Sequence, residues 1–113
     1  VPVSVYPIAR YMRAFDVIVS AAGYNTCCEV LQAGVPTLFV PYRFVADDQA
    51  RRADIVAQAA PAVVSPCETA EQRAEAVERL LALSADRGGR RAVDLSGAEC
   101  AADEILGLLG ERP

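Results

Sequence analysis

The sequence contains no histidine and no lysine, so its eleven basic residues are all arginines. Without histidine the chain lacks the commonest general base and the commonest transition-metal ligand. If it belongs to an enzyme, we expect proton transfer to come from an acid or from another segment. The four cysteines show no C-x-x-C spacing, which argues against a zinc site. Cys27, Cys28, Cys67 and Cys100 are predicted to be small buried hydrophobic residues.

The sequence also lacks a basic cluster and a long apolar run. Its net charge is −4 and its arginines are scattered, so binding to nucleic acid is not expected. No window approaches the roughly 18 apolar residues of a membrane-spanning helix. The basic start and short apolar run of a secretory signal are missing too. We therefore expect a cytoplasmic protein, or one peripheral to the membrane in its full-length form.

Apolar runs alternate with helical patterns along the 113 residues, which is typical of an α/β fold. Strands are predicted at residues 3–5, 17–19, 37–40 and 62–64, with a short loop at 42–46. The β-branched, uncharged run 17–19 is typical of a parallel strand covered on both faces. Helices are predicted at residues 8–14, from 25 or 26 to 33, at 47–59, from 70 to just before 88, and at 98–109. Gly34 is predicted to end the second of these in a left-handed conformation, and Thr69 is predicted to cap the fourth, whose apolar stripe would be Val77, Leu80 and Leu81. The pair Arg90-Arg91 falls in a weakly patterned segment. The pattern favours a Rossmann-like parallel sheet of about four strands with flanking helices. Because residue 1 already lies at a predicted strand, we expect residues 1–113 to be one partial domain.

A small turn with a glycine joins the predicted strand at residues 17–19 to the next helix. The N–H groups and the dipole of a helix start favour anions, and Gly23 permits close approach of a ligand to the backbone. The turn is interpreted as a phosphate site, with an ordinary strand–turn–helix as the alternative. Thr26 is interpreted either as a phosphate contact or as a helix cap.

Two acidic positions are interpreted as sugar contacts. Glu29 lies about one turn into the helix, where a carboxylate can accept from both hydroxyls of a ribose; the alternative is a solvated residue. Asp48 and Gln49 open the next helix, and an acid and an amide suit the hydroxyls of a hexose. Complementarity to the helix dipole is the alternative for Asp48. Asp47 and Asp48 are not expected to bind a metal, because neighbouring acids at a helix start diverge.

These motifs, taken in order, resemble the C-terminal donor-binding domain of GT-B glycosyltransferases. The likeness is greatest to glycosyltransferase family 28, which includes the N-acetylglucosaminyltransferase of lipid II synthesis, and it covers most of the chain. The residues that carry it are 16–26, Glu29, Gly34-Val35-Pro36, Val40-Pro41 and Asp48-Gln49.

The resemblance implies an inverting transferase that needs no metal or other cofactor and uses a nucleotide-diphospho-sugar, usually UDP-linked. The sugar would be a hexose or an N-acetylhexosamine; the acceptor, and UDP versus TDP, stay open. The residues assigned to donor binding in this way are Val5 and Tyr6 for the base, Gly23, Tyr24, Asn25 and Thr26 for the diphosphate, Glu29 for the ribose, and Asp48 and Gln49 for the hexose.

The sequence departs from the family in three respects. Plant-type relatives carry a histidine before the glycine, where this chain has Ala21 and Ala22. We expect the acceptor-binding N-terminal domain, which would hold the catalytic base, and the first strand–helix unit of the donor domain to be missing from these 113 residues. We therefore expect the chain alone to be inactive, to bind donor weakly and to self-associate through exposed apolar surface.

Alternative functions are retained beside this one. The chain is interpreted alternatively as the binding subunit of a split glycosyltransferase, completed by a partner chain. Another alternative is a domain like that of the nonhydrolysing sugar-nucleotide epimerases, which share the fold and a similar glycine turn. The Asp48-Gln49 pair fits that family poorly. A small α/β domain without a ligand is the non-enzymatic alternative.

Overall fold

A computed structural model describes residues 2, 4–44, 46–86, 94 and 96–110. In chain order its elements are a 3₁₀ helix (Ile8–Ala14), β1 (Ile18–Ser20), α1 (Tyr24–Ala33), β2 (Thr37–Phe39), β3 (Arg43–Phe44), β4 (Asp47–Asp48), α2 (Gln49–Ala59), β5 (Ala62–Val64), α3 (Ala70–Ala85) and α4 (Gly97–Leu109).

The main sheet has three parallel strands in the order β1-β2-β5. Val19 of β1 lies opposite Leu38 of β2, which in turn lies opposite Val63 of β5. The α/β class and the parallel sheet are therefore confirmed, although the described residues form three strands of it rather than four. Of the expected strand at residues 3–5, residue 3 lies outside the described residues, and Ser4 and Val5 are not in a strand.

Helices cover the sheet on two sides, because successive residues of a strand point to opposite faces. Phe39 of β2 packs with Val30 of α1 and Val56 of α2. Leu38, the preceding residue of β2, packs with Leu80 of α3 on the other side. Phe39 and Val30 are completely buried, so β2 lies at the centre of the core.

The edge strand β1 is less covered than the sequence indicates. Residues 17–19 are predicted to be buried on both faces, but the side chain of Val19 is 62% exposed. The prediction was wrong there because α3 lies against β2 and β5. Within the described sheet, β1 has a neighbour only on its β2 side.

The predicted helix ends agree with the structure at two places. Gly34 follows α1 with φ 63°, in the left-handed region, and its N–H donates to the carbonyl of Val30 at 2.9 Å. Thr69 caps α3 by accepting from the N–H of Gln72 at 3.2 Å, and the side chain of Gln72 accepts from the N–H of Thr69. Both signals depend on a few neighbouring residues, which is why the sequence shows them.

A short hairpin replaces the loop expected at residues 42–46. In it β3 pairs antiparallel with β4, and Arg43 lies opposite Asp48. The helix expected to start at Asp47 therefore starts at Gln49. Asp48 stands just outside α2, because its carboxylate accepts from the N–H of Arg51 at 3.0 Å, as an N-cap residue does.

Other predictions of burial hold only in part. Cys27 is buried and Cys67 is partly buried, but Cys28 and Cys100 are exposed. On α3, residue Leu80 is buried as expected; Ala76 is buried in place of Val77 and Leu81, which are exposed.

The last helix, α4, forms close to the predicted bounds, but none of its residues is buried. Residues 87–93, which include the predicted weak segment Arg90-Arg91, lie outside the described residues. None of the helices in the described ranges combines the length and apolar character needed to cross a membrane.

Gly34 gives a direct test of the α1 ending. Gly34→Ala should lower the free energy of unfolding by about 1 kcal/mol, because a Cβ disfavours a positive φ. Gly34→Asn should lose clearly less, since asparagine tolerates this conformation. Urea unfolding followed by circular dichroism measures both variants, and equal stability of the alanine variant and the unsubstituted protein would contradict the assignment.

The exposed edge strand predicts self-association at high protein concentration. Val19→Lys should reduce it, because a charge on an edge strand opposes edge-to-edge pairing. Ile55→Lys is the matched control, since Ile55 is similarly exposed, at 57%, but belongs to a helix and not to an edge strand. Light scattering decides the matter: a monodisperse monomer of the unsubstituted protein would rule the prediction out.

Candidate functional site

The loops that follow β1 and β2 lie side by side at the carboxyl ends of the strands. The two strands are parallel neighbours, and the N–H of Val40 donates to the carbonyl of Ser20 at 2.9 Å just beyond the last register pair. The first loop runs into α1, and we call residues 21–26 the Gly23 turn. The second leads through the β3–β4 hairpin into α2. In open α/β sheets this end of the strands is where ligands bind.

The amino end of α1 has no side-chain cap. Gly23 is the N-cap residue, and the first helical bond joins the N–H of Cys27 to the carbonyl of Gly23 at 3.0 Å. The N–H groups of Tyr24, Asn25 and Thr26 thus lie in the uncapped first turn. Thr26 is the third residue of the helix, so the interpretation of Thr26 as its cap was wrong.

The space in front of Gly23 is open. A Cβ built on Gly23 would meet only the Oγ1 of Thr26, at 3.9 Å, which is an ordinary contact. The φ of Gly23 is −63°, a value that any residue adopts. Neither the backbone conformation nor the packing therefore requires glycine at this position, and the turn can be approached closely from outside.

Arg52 of α2 connects the Gly23 turn to the hairpin, and the sequence interpretation did not include it. Its Nη1 donates to the carbonyl of Ala22 at 2.7 Å, and its Nη2 donates to Oδ1 of Asp47 at 2.5 Å. The guanidinium also lies 6.0 Å from the centre of the Tyr24 ring, within cation–π range. Arg52 precedes buried Val56 by four residues, so both lie on about the same face of α2, the face toward the core. This spacing is the one feature of the sequence that indicates which way the Arg52 side chain points.

Gln49 continues this network toward β2. Its Nε2 donates to Oδ2 of Asp47 at 3.2 Å, and its Oε1 accepts from the N–H of Tyr42 at 3.1 Å. The amide of Gln49 keeps one further N–H and one lone pair for a ligand. Asp48 likewise uses Oδ1 for the cap of α2 and leaves Oδ2 to accept from another donor.

Electrostatics keep this network charged. The hydrogen bond from Arg52, followed by that from Gln49, holds the pKa of the Asp47 carboxyl below its ordinary value. The same bond to Asp47 raises the pKa of Arg52. Burial raises the pKa of the Cys27 thiol nearby, so this thiol stays protonated at neutral pH and is a poor nucleophile.

The predicted donor-binding residues at the Gly23 turn, at Glu29 and at Asp48-Gln49 lie in three places. A cavity of about 650 Å³ between the hairpin and the end of β5 is lined by Asp48 and Gln49, among others. Glu29 instead lines a groove of about 370 Å³ between α1 and the 3₁₀ helix, together with Arg10 and Arg13. The Gly23 turn borders neither cavity and is joined to the hairpin by Arg52.

The positions assigned to the base are close in sequence to one wall of the groove that Glu29 lines. Val5 and Tyr6 come just before the 3₁₀ helix that lines the Glu29 groove. Both are exposed, Tyr6 at 98%. Among the described residues, no group of three or more cysteine, aspartate or glutamate side chains is placed to hold a metal ion.

The Asp47–Arg52 pair predicts a pH dependence of stability. Because the pKa of Asp47 is lowered from 3.8 on folding, its contribution is present above that value and is lost as the pH falls through the folded-state pKa. Asp47→Asn should therefore be less stable at neutral pH and should lose less stability on acidification.

Urea unfolding between neutral pH and about pH 2 measures this dependence. Asp54→Asn, which removes an exposed carboxylate of the adjoining helix α2, is the control. Identical acid limbs for Asp47→Asn and the unsubstituted protein would show that the pair does not stabilise the fold.

Comparison with known proteins yields a family match and several relatives. The model of the glycosyltransferase family 28 C-terminal domain matches residues 3–89. A UDP-N-acetylglucosamine--N-acetylmuramyl-(pentapeptide) pyrophosphoryl-undecaprenol N-acetylglucosamine transferase of Sorangium cellulosum is 35% identical over 83 residues, which cover 71% of this chain and 20% of the relative. The enzyme with the same name from Synechococcus elongatus is 37% identical over 60 residues, covering 52% of this chain and 17% of the relative.

The chain spans about a fifth or less of the length of these curated relatives. No solved structure matches it significantly. The family match nevertheless includes β1, α1, β2, the hairpin, α2, β5 and α3, and therefore every residue of the network described above. The chain belongs to the family of glycosyltransferase family 28 C-terminal domains.

Proposed function

We propose that this domain binds the nucleotide-diphospho-sugar donor of a glycosyltransferase, most simply a UDP sugar. Family membership and the names of the relatives, which are UDP-N-acetylglucosamine-dependent transferases, support the proposal. The observation that carries it is the uncapped amino end of α1 beside an open Gly23. This surface has N–H donors, a favourable helix dipole and room for an anion.

The diphosphate is proposed to lie against Gly23, Tyr24, Asn25 and Thr26. When the sugar is transferred, negative charge develops on the leaving diphosphate, and prearranged N–H groups stabilise it at the moment of reaction. These donors serve without a metal, so we propose a metal-independent transfer that needs no other cofactor. Inversion at the anomeric carbon is proposed from the family resemblance alone. Ala21 and Ala22 stand where plant-type relatives carry a histidine before the glycine, which leaves the backbone as the main source of this stabilisation.

The sugar parts of the donor are assigned to carboxylate and amide groups. Oδ2 of Asp48 and the remaining amide positions of Gln49 are proposed to hold a hexose or an N-acetylhexosamine. Glu29 is proposed to accept from the ribose hydroxyls, with the base along the backbone near Val5 and Tyr6. Arg10 and Arg13 line the same groove as Glu29, so the proposed ribose site is lined by charged side chains.

The complete reaction requires groups that the described residues do not supply. The chain aligns with only a small part of its relatives, so we propose that the acceptor site and the catalytic base lie on other segments of the enzyme. The domain alone is proposed to bind donor without turnover. We also propose that the full enzyme acts in the cytoplasm or at the surface of the membrane.

Heteronuclear NMR titration with UDP, TDP and UDP-N-acetylglucosamine tests the donor site. We expect amide shifts that cluster at residues 23–29 and 48–49. UDP-N-acetylglucosamine should shift residues 48–49 more strongly than UDP does. Gly23→Ala should fold normally yet weaken all three ligands about tenfold, because the new Cβ occupies the approach to the turn. Gly97→Ala is the matched control, since Gly97 also has open space around it.

Two further variants separate the parts of the donor. Asp48→Ser keeps an N-cap for α2 but removes the carboxylate, so it should weaken UDP-N-acetylglucosamine about tenfold and leave UDP nearly unchanged. Glu29→Ala should weaken all nucleotides. The absence of any shift at millimolar ligand, or shifts confined to residues away from both clusters, would refute the proposed site.

A further inference from the structure

We propose that Arg52 is a positioning residue that sets the spacing between the diphosphate-binding and hexose-binding parts of the donor site. The inference rests on the proposed function, and it adds to it a residue that touches neither part of the donor. Arg52 acts through two backbone segments that are separate in sequence; Ala22 is 30 residues away.

The first anchor of Arg52 lies directly before the Gly23 turn. Ala22 is completely buried, and its carbonyl accepts from Nη1 of Arg52 at 2.7 Å. The next peptide N–H along the chain is that of Gly23, which belongs to the same peptide plane as this carbonyl. Holding the carbonyl of Ala22 therefore fixes the orientation of the first N–H that faces the diphosphate.

The second anchor lies directly before the residues assigned to the hexose. Asp47 accepts from Nη2 of Arg52 through Oδ1 and from Gln49 through Oδ2. Asp47 also belongs to β4, whose last residue is Asp48. The guanidinium of Arg52 thus holds Ala22, just before the Gly23 turn, and Asp47, just before Asp48 and Gln49. Because the guanidinium is a rigid planar fork, it sets the distance between the Gly23 turn and the hexose contacts.

The surroundings of Arg52 favour positioning over direct contact with a phosphate. Both Nη atoms already donate within the protein, and the charge is paired with Asp47. The Tyr24 ring lies beside the guanidinium, and only 27% of the Arg52 side chain is exposed. Loss of the fork should therefore harm a ligand that spans both segments more than a ligand that occupies only the turn.

The test compares UDP with UDP-N-acetylglucosamine on the unsubstituted chain and on Arg52→Lys, by calorimetry or NMR titration. Lysine keeps the charge but has a single ammonium group, which cannot reproduce the planar fork between Ala22 and Asp47. We expect Arg52→Lys to weaken UDP-N-acetylglucosamine about tenfold and UDP only about threefold, because UDP loses the anchored Gly23 N–H but does not depend on the spacing to the hexose contacts. Arg79→Lys, an exposed arginine of α3, is the control and should bind like the unsubstituted protein.

Two companion measurements keep the outcome interpretable. Arg52→Gln removes the charge as well, so comparing the Gln and Lys variants shows whether loss of the positive charge adds to the effect of losing the planar fork. In the ligand-free protein, Asp47→Asn should shift the Gly23 amide resonance, and this shift should vanish in the Arg52→Lys background, because Arg52 is the connection between them.

The possible results lead to different conclusions. Equal loss of UDP and UDP-N-acetylglucosamine in Arg52→Gln, with full binding by Arg52→Lys, would make Arg52 a charge for the phosphates and overturn the positioning role. An unchanged Gly23 shift in the double variant would also overturn it. If the unsubstituted protein binds neither ligand, the donor site itself is refuted, and the role of Arg52 toward a donor falls with it.

Discussion

The burial of β2 between two layers of helices is the constraint on which the rest of the structure depends. All three residues of β2 are buried, and the strand is paired on both sides. Phe39 faces α1 and α2, whereas Leu38 faces α3. Complete burial of a side chain such as that of Phe39 contributes about 1.5–3 kcal/mol. Because β2 fixes both neighbours in parallel register, it also fixes where the loops after β1 and β2 leave the sheet.

The site follows from this placement together with one long-range contact. Parallel pairing brings the end of β1 next to the end of β2, but it does not set the angle at which α2 begins. That angle depends on the hairpin, on the cap at Asp48 and on the hydrogen bonds of Arg52. In a chain without histidine or lysine, the polar chemistry of this region consists of backbone N–H groups, carboxylates, an amide and an arginine.

What the sequence could predict was local. The strands at residues 37–40 and 62–64, the left-handed Gly34 and the capping box of α3 each depend on a few consecutive residues, and each is present. The exposure of Val19 was not predictable in this way, because it depends on where α3 lies.

The hairpin and Arg52 escaped prediction for the same physical reason. Two-residue strands carry almost no periodic pattern, and Asp47-Asp48 looks equally well like the first turn of a helix. Nothing near Arg52 in sequence reveals that its partner is the carbonyl of Ala22. The motifs identified the family and the turn, whereas the contact that joins the parts of the site required the folded chain.

The hairpin itself is too short to be stable alone, and each of its two strands is held by an ion pair, in different surroundings. Arg43 and Glu68 pair at 3.4 Å with both side chains largely in solvent, whereas Arg52 and Asp47 are partly shielded. Mobile ions screen the outer pair much more than the inner one. As ionic strength rises, the Arg43–Glu68 pair therefore weakens first, whereas the pair of Arg52 with Asp47 continues to hold β4 against α2.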